Sequence, residues 1–207
     1  MAYKYVVQST VKDADEWCKG VILEVQDIVR DWFTFDFKLI GSGERRLVTQ
    51  NGNNPFDLDY NLILQKDKKD LFYNPQRIKI LFMDAFKRAL NKRGIKNYSE
   101  RNHTSVITVN ILDKKNNVEF SFDVAILAEL DNGFFCRLTY DKISNRYIWN
   151  QVPNSHKFFD RYKLVRDNGY FMKFKNRYLE LKKEHLEKKD ETSSFSIFLE
   201  TLNEFKL

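Results

Sequence analysis

Two short stretches decide how this chain folds: Leu39-Ile-Gly-Ser42 and, after a polar spacer, Phe56-Asp-Leu-Asp-Tyr-Asn-Leu-Ile-Leu64. The second alternates apolar and polar positions and reads as a strand. Phe56, Leu58 and Tyr60 point one way, Asp57 and Asp59 the other. Two carboxylates sharing a strand face repel each other, which is costly unless cations compensate them. Upstream, residues 33–40 alternate in the same manner until Gly41-Ser42-Gly43 breaks the pattern. A Gly-Ser between a strand and a short helix offers backbone N–H groups and the Ser42 hydroxyl to phosphate oxygens. A third acid, Asp123, interrupts the otherwise apolar Val118-Glu-Phe-Ser-Phe-Asp-Val-Ala-Ile-Leu127. If that strand lies beside the Asp57 strand, three carboxylates converge, and hard oxygen ligands of this kind suit Mg²⁺.

Around these stretches the periodicity sets the layout. Apolar residues at three- and four-residue spacing predict a helix over 13–32, with Asp13, Asp15 and Glu16 in its first turn. Pro75 opens a second helix that runs to about residue 92 and ends near Gly94. Strands follow over 105–112 and 118–127, joined by a turn at 113–117, and 134–140 reads as an edge strand. Beyond Arg146 the pattern turns helical, over 155–165, 169–188 and 194–205. The expectation is an α+β fold: a mixed sheet flanked by helices over 1–148 and a small helical segment over 149–207.

Composition narrows the function classes. With 43% hydrophobic and 31% charged residues in 207, the chain is globular rather than disordered. A net charge of +6 is compatible with a phosphate-bearing substrate but too dispersed for a dedicated nucleic-acid surface. Cys18 and Cys136 are far apart and belong to no C-x-x-C pair, so a cysteine zinc site is excluded and two free thiols are expected. No stretch is apolar enough to span a bilayer and the first residues lack a signal-peptide pattern, so a cytoplasmic, membrane-free protein is expected.

Taken together, Leu39-Ile-Gly-Ser42, Phe56-Asp-Leu-Asp-Tyr60 and Phe122-Asp-Val124 resemble the DNA polymerase β-like nucleotidyltransferases. In that superfamily a Gly-Ser, an Asp-x-Asp on the next strand and a later Asp form the site. Further segments are similar to the oligoadenylate synthetase and cyclic GMP-AMP synthase branch, which includes bacterial cyclic-oligonucleotide synthases. These are Trp149-Asn-Gln-Val-Pro-Asn-Ser-His156, Tyr178-Leu-Glu-Leu-Lys182 and Ser193-Ser-Phe-Ser-Ile-Phe-Leu-Glu200. The Trp that follows the helical Lys in that branch is absent here.

The resemblance implies transfer of NMP from an NTP to a hydroxyl, with two Mg²⁺ or Mn²⁺ ions and release of pyrophosphate. Asp57, Asp59 and Asp123 would hold the metal. Gly41, Ser42 and Lys182 would bind the nucleotide's phosphates. The acceptor is open: a second nucleotide, an RNA end, a small molecule or a protein, with room for a regulatory or antitoxin-type partner. The competing reading is a silent nucleotide- or RNA-binding module with the same fold. Bland roles also exist for these residues: Ser42 as a helix cap, Lys182 as part of a solvated lysine run. His103, His156 and His185 lack mutual ligand spacing and read as structural or exposed.

Overall fold

A computed structural model describes residues 3–95, 105–112, 118–129, 134–152, 156–188, 190 and 192–205. In chain order its elements are β1 (Tyr3–Tyr5), α1 (Gln8–Val29), β2 (Phe33–Ile40), α2 (Gly41–Arg45), β3 (Thr49–Asn51), β4 (Phe56–Asp67), α3 (Pro75–Lys92), β5 (Ile107–Leu112), β6 (Val118–Glu129), β7 (Phe135–Asp141), β8 (Arg146–Gln151), α4 (His156–Asp167), α5 (Phe171–Lys188) and α6 (Ser194–Glu204). The expected turn at 113–117 and His103 lie outside the described residues. The chain divides into two compact units, one of residues 7–48 and 54–152, the other of 1–6, 49–53 and 153–207.

The larger unit is a mixed sheet in the order β2-β4-β6-β7-β8, with β5 also pairing β6. β4 and β6 run parallel, while β2, β5 and β7 pair antiparallel to their neighbours. Helices α1 and α3 cover one face. The buried stripe of α1, including Cys18, Val21, Ile22 and Val25, sets Trp17 edge-on to Phe120 and Phe122. Phe82 of α3 meets Phe33 and Phe35, and Phe86 meets Phe122. α3 begins as its sequence dictates: Asn74 accepts the Arg77 N–H and Pro75 occupies the first turn. With both helices on one face, the other face of β4 and β6 is where the polar residues emerge.

Three expectations need correction. α1 begins at Gln8, so Asp13, Asp15 and Glu16 lie beyond its first turn, which has no acid. Asp15 instead accepts the Tyr60 hydroxyl at 2.6 Å and clamps the helix to β4. The segment expected as an edge strand at 134–140 forms β7, which is not an edge because β8 pairs beyond it, so helical character begins only after the strand Arg146–Gln151. Short β3 falls inside the spacer and pairs with β1 in the smaller unit.

In that smaller unit α5 and α6 are tied by Arg177, which donates to Glu204 and Glu184. Phe174 and Phe198 meet at 5.7 Å in its core.

Candidate active site

β4 places its residues by simple alternation. Phe56, Leu58, Tyr60, Leu62 and Leu64 are buried against the helices, and Asp57, Asp59 and Asn61 occupy the opposite face. The parallel register with β6 sets Asp59 directly beside Asp123 and Asp57 beside Ser121. Ser121 donates its hydroxyl to Asp57. From the other side of β6, Thr108 of β5 stands opposite Asp123 and donates to its Oδ1 at 2.6 Å.

The Gly-Ser stretch enters the same place from β2. Ile40 pairs with Asp59, so the next residue, Gly41, starts α2 against that carboxylate. Gly41 has φ +66°, and a Cβ built on it would stand 2.5 Å from Asp59 Oδ2. Glycine is therefore required twice over, by the left-handed backbone and by the approach of the acid. α2 closes after one turn through Arg46 in the left-handed region, with the Leu47 N–H donating to the Ser42 carbonyl at 2.8 Å.

Electrostatically, Asp59 is the stressed member. Burial, then the neighbouring Asp123, raise its pKa, while Arg45 and Arg137 act to lower it. Arg45 is buried, 8% exposed, on α2. Arg137 projects from β7, where burial depresses its pKa and Asp59 and Asp123 restore part of it. Its Nε is buried without a hydrogen-bond partner among the described residues. The site is thus a carboxylate pair with two guanidinium counter-charges.

Of the expected residues, Gly41, Ser42, Asp57, Asp59 and Asp123 all belong to the larger unit. The three acids do not form a ready-made cage: among the described residues no three acidic, His or Cys groups are placed to hold a metal ion. Asp59 and Asp123 are the facing pair, and Asp57 is exposed with its carboxylate engaged by Ser121. A pair of carboxylates still fits Mg²⁺, which takes one or two such ligands and completes its shell with water and substrate phosphates. Lys182 lies in the smaller unit on α5 and is buried rather than part of a solvated run. It donates to Thr49 Oγ1 at 2.7 Å and sits over the Tyr3 and Tyr178 rings.

Sequence reasoning left Ser121, Thr108, Arg137 and Lys79 without a role. Ser121 carries a legible signal, since it shares Asp123's face two residues earlier. Lys79 does too: it falls on the apolar stripe of α3 with Phe82 and Phe86 and is 2% exposed.

No protein-family model matches the chain, and no curated protein is significantly similar to it. Solved structures do match. The chain is similar to the CdnE c-di-GMP synthase of Capnocytophaga granulosa at 18% identity and TM-score 0.64, covering 97% of this chain and 61% of that one. Against the Vibrio cholerae DncV cyclic AMP-GMP synthase the identity is 11% and the TM-score 0.62, over 96% and 67% of the two chains. The Rhodothermus marinus CdnE c-UMP-AMP synthase gives 13% and 0.58, over 97% and 72%. The fold is therefore the α+β nucleotidyltransferase fold of the bacterial cyclic GMP-AMP synthase-like enzymes, and the chain spans 61% of the length of the first of these neighbours.

Proposed function

We propose that this protein is a metal-dependent nucleotidyltransferase that moves NMP from an NTP onto a hydroxyl acceptor. The observation that supports the reading most is the parallel register that sets Asp59 beside Asp123, with Gly41 closed against Asp59. A silent copy of the fold has no use for two mutually repelling, partly buried acids. Several similar structures hold nucleotides: GTP in the Bradyrhizobium diazoefficiens CdnG, and a linear pppA(3′,5′)pG intermediate in DncV.

In this reading the acceptor oxygen bonds to the α-phosphorus as the α–β bridging P–O bond breaks. Pyrophosphate leaves with the bonding pair and the hydroxyl proton passes to solvent. Asp59 and Asp123, with Asp57 beside them, would hold Mg²⁺ or Mn²⁺, which supplies activation of the attacking hydroxyl and charge stabilisation of the leaving pyrophosphate. Arg45 and Arg137 offset part of the rise that burial and Asp123 impose on the Asp59 pKa, and add positive field for developing phosphate charge. Gly41 and Ser42 are assigned to the triphosphate. Lys182 is assigned to it on motif resemblance alone.

The test is incubation of the protein with each labelled NTP and Mg²⁺ or Mn²⁺, beside Asp59→Ala and Asp123→Ala. Pyrophosphate release with a new nucleotide product, lost in both variants, is expected. Metal-independent release, or release unchanged in both variants, overturns the reading. If turnover is absent for want of an acceptor, metal-dependent NTP binding decides, and its absence sinks the proposal. Lys182→Met is expected to raise the KM for NTP more than it lowers kcat.

A further inference from the structure

The sheet forks at β6. One stretch of that strand pairs β5, from Val118 opposite Leu112 to Val124 opposite Ile107. The next pairs β7, starting at Leu127 opposite Arg137. Asp123 sits one residue before β5 lets go. Backbone groups at such a fork lose their ladder partners and need others. Three bonds meet here. Ser105 Oγ accepts the Tyr140 N–H at 3.2 Å, Lys79 Nζ donates to the Val106 carbonyl at 2.8 Å, and Thr108 donates to Asp123 at 2.6 Å.

Lys79 is the informative member. It rises from α3 between Ile78 and Phe82, is 2% exposed, and lies 5.5 Å from the centre of the Tyr147 ring. A buried ammonium is expensive, and the Val106 carbonyl, the Tyr147 ring face and the charge of Asp123 are among the groups that offset its desolvation. An apolar side chain would suit this stripe of α3 better for packing alone. What the lysine secures is the carbonyl at the start of β5, two residues before Thr108. Thr108 in turn is set opposite Asp123 by the ladder, and its hydroxyl fixes the torsion of that carboxylate without adding charge.

We infer that Thr108 is a positioning residue for Asp123, and that Lys79 holds Thr108 in place by anchoring β5 at Val106. The inference rests on the proposed role of Asp123 as a metal-facing carboxylate. Partners that orient a metal-binding carboxylate without touching the metal commonly govern affinity and rate together.

Thr108→Val keeps the shape and removes the donor; Thr108→Ser keeps the donor; Lys79→Met keeps the length and removes charge and donor. Each is compared with wild type and with Asp123→Asn by Mn²⁺ titration followed by electron paramagnetic resonance, by kcat and KM for NTP in pyrophosphate release, and by thermal melting. Thr108→Val is expected to weaken Mn²⁺ binding and lower kcat by about 10- to 100-fold each. At saturating Mn²⁺ its KM for NTP should move by less than about threefold, because the metal site is then filled and the nucleotide's own contacts are unchanged. Thr108→Ser should restore most of both. Lys79→Met should follow Thr108→Val at about tenfold, without a fall in melting temperature to match.

Wild-type Mn²⁺ affinity and kcat in Thr108→Val, while Asp123→Asn loses both, would refute the inference and leave the nucleotidyltransferase reading intact. If Asp123→Asn is itself indistinguishable from wild type, the reading of Asp123 fails and this inference with it. Should Thr108→Val not fold, Thr108→Cys makes the same comparison with a weak donor of similar size.

Discussion

Replacing Gly41 by Ala separates the two reasons for glycine at the site. The first is backbone strain: φ is +66°, and an L-residue in the left-handed region costs about 1–2 kcal/mol. For a chain of this size that lowers the melting temperature by roughly 2–8 °C. The second is steric. The new Cβ meets Asp59 Oδ2 at 2.5 Å, and the carboxylate must retreat by about 0.9 Å to reach ordinary contact at 3.4 Å. A misplacement of about 1 Å in a reacting constellation is enough for roughly 100-fold in rate. Gly94→Ala supplies the control: φ there is +74° and nothing lies within 4 Å of the added carbon. It should show the strain alone, with turnover kept. Melting and pyrophosphate release are measured for both variants, and melting again with Asp59→Ala in the background. Removing the carboxylate should shrink the cost of Gly41→Ala to that of Gly94→Ala. Equal costs with and without Asp59, together with full turnover in Gly41→Ala, would refute the argument.

Other outcomes follow from the same physical terms. Because burial and Asp123 raise Asp59 above its ordinary value of 3.8, the ionised group opposes folding at neutral pH. Asp59→Asn should therefore melt higher than wild type at pH 7 while losing turnover. The stability advantage should close as pH falls through the folded pKa, and a variant less stable than wild type at pH 7 would contradict this. His185 behaves in the opposite sense. Glu200 first, then Asp190, raise its pKa, so its ion pairs stabilise the fold fully below about 6.5 and are lost as pH rises through the folded value. His185→Gln should cost about 0.5–1 kcal/mol at pH 5.5 and nothing measurable at pH 9, read from paired melts. The Cys18 thiol, pushed up to about 12 by burial, should resist alkylation in the native protein and react once denatured; rapid native labelling of Cys18 in a Cys136→Ser variant would count against the packing of α1.

The carboxylate strand was readable because its signal is local. Asp57 and Asp59 share a face by period-two geometry alone, and the strand, the following Pro75 helix and the Gly-Ser break all carry their own punctuation. What escaped depends on distant partners. β1 and β3 are three residues each and pair across more than forty positions, so neither has a local pattern to detect. α1 starts after Val7 with no side-chain cap, and the cluster of Asp13, Asp15 and Glu16 imitates a helix start five residues too late. β8 reads Arg-Tyr-Ile-Trp-Asn-Gln, and its strand character comes from pairing with β7. At the site, Thr108 and Ser121 acquire meaning only once the registers are known. Arg137 becomes a counter-charge only because β7 continues the fork beyond β5.

The same registers explain how the protein tolerates the pair at all. Slipping β4 by one residue would carry Asp57 and Asp59 toward α1 and α3 and expose Leu58, Tyr60 and Leu62, each of which is 0% exposed. Burying such side chains is worth about 1.5–3 kcal/mol apiece, more than the repulsion of two partly screened carboxylates opposes. Tyr60 adds a directional lock, since its hydroxyl reaches Asp15 only in the observed register. β6 is held likewise by Phe122 and Val124, both 0% exposed, on either side of Asp123. Asp59 and Asp123 therefore face each other because their apolar neighbours on the far side of the sheet leave the two strands no other alignment. The arginines then moderate a conflict that the core imposes.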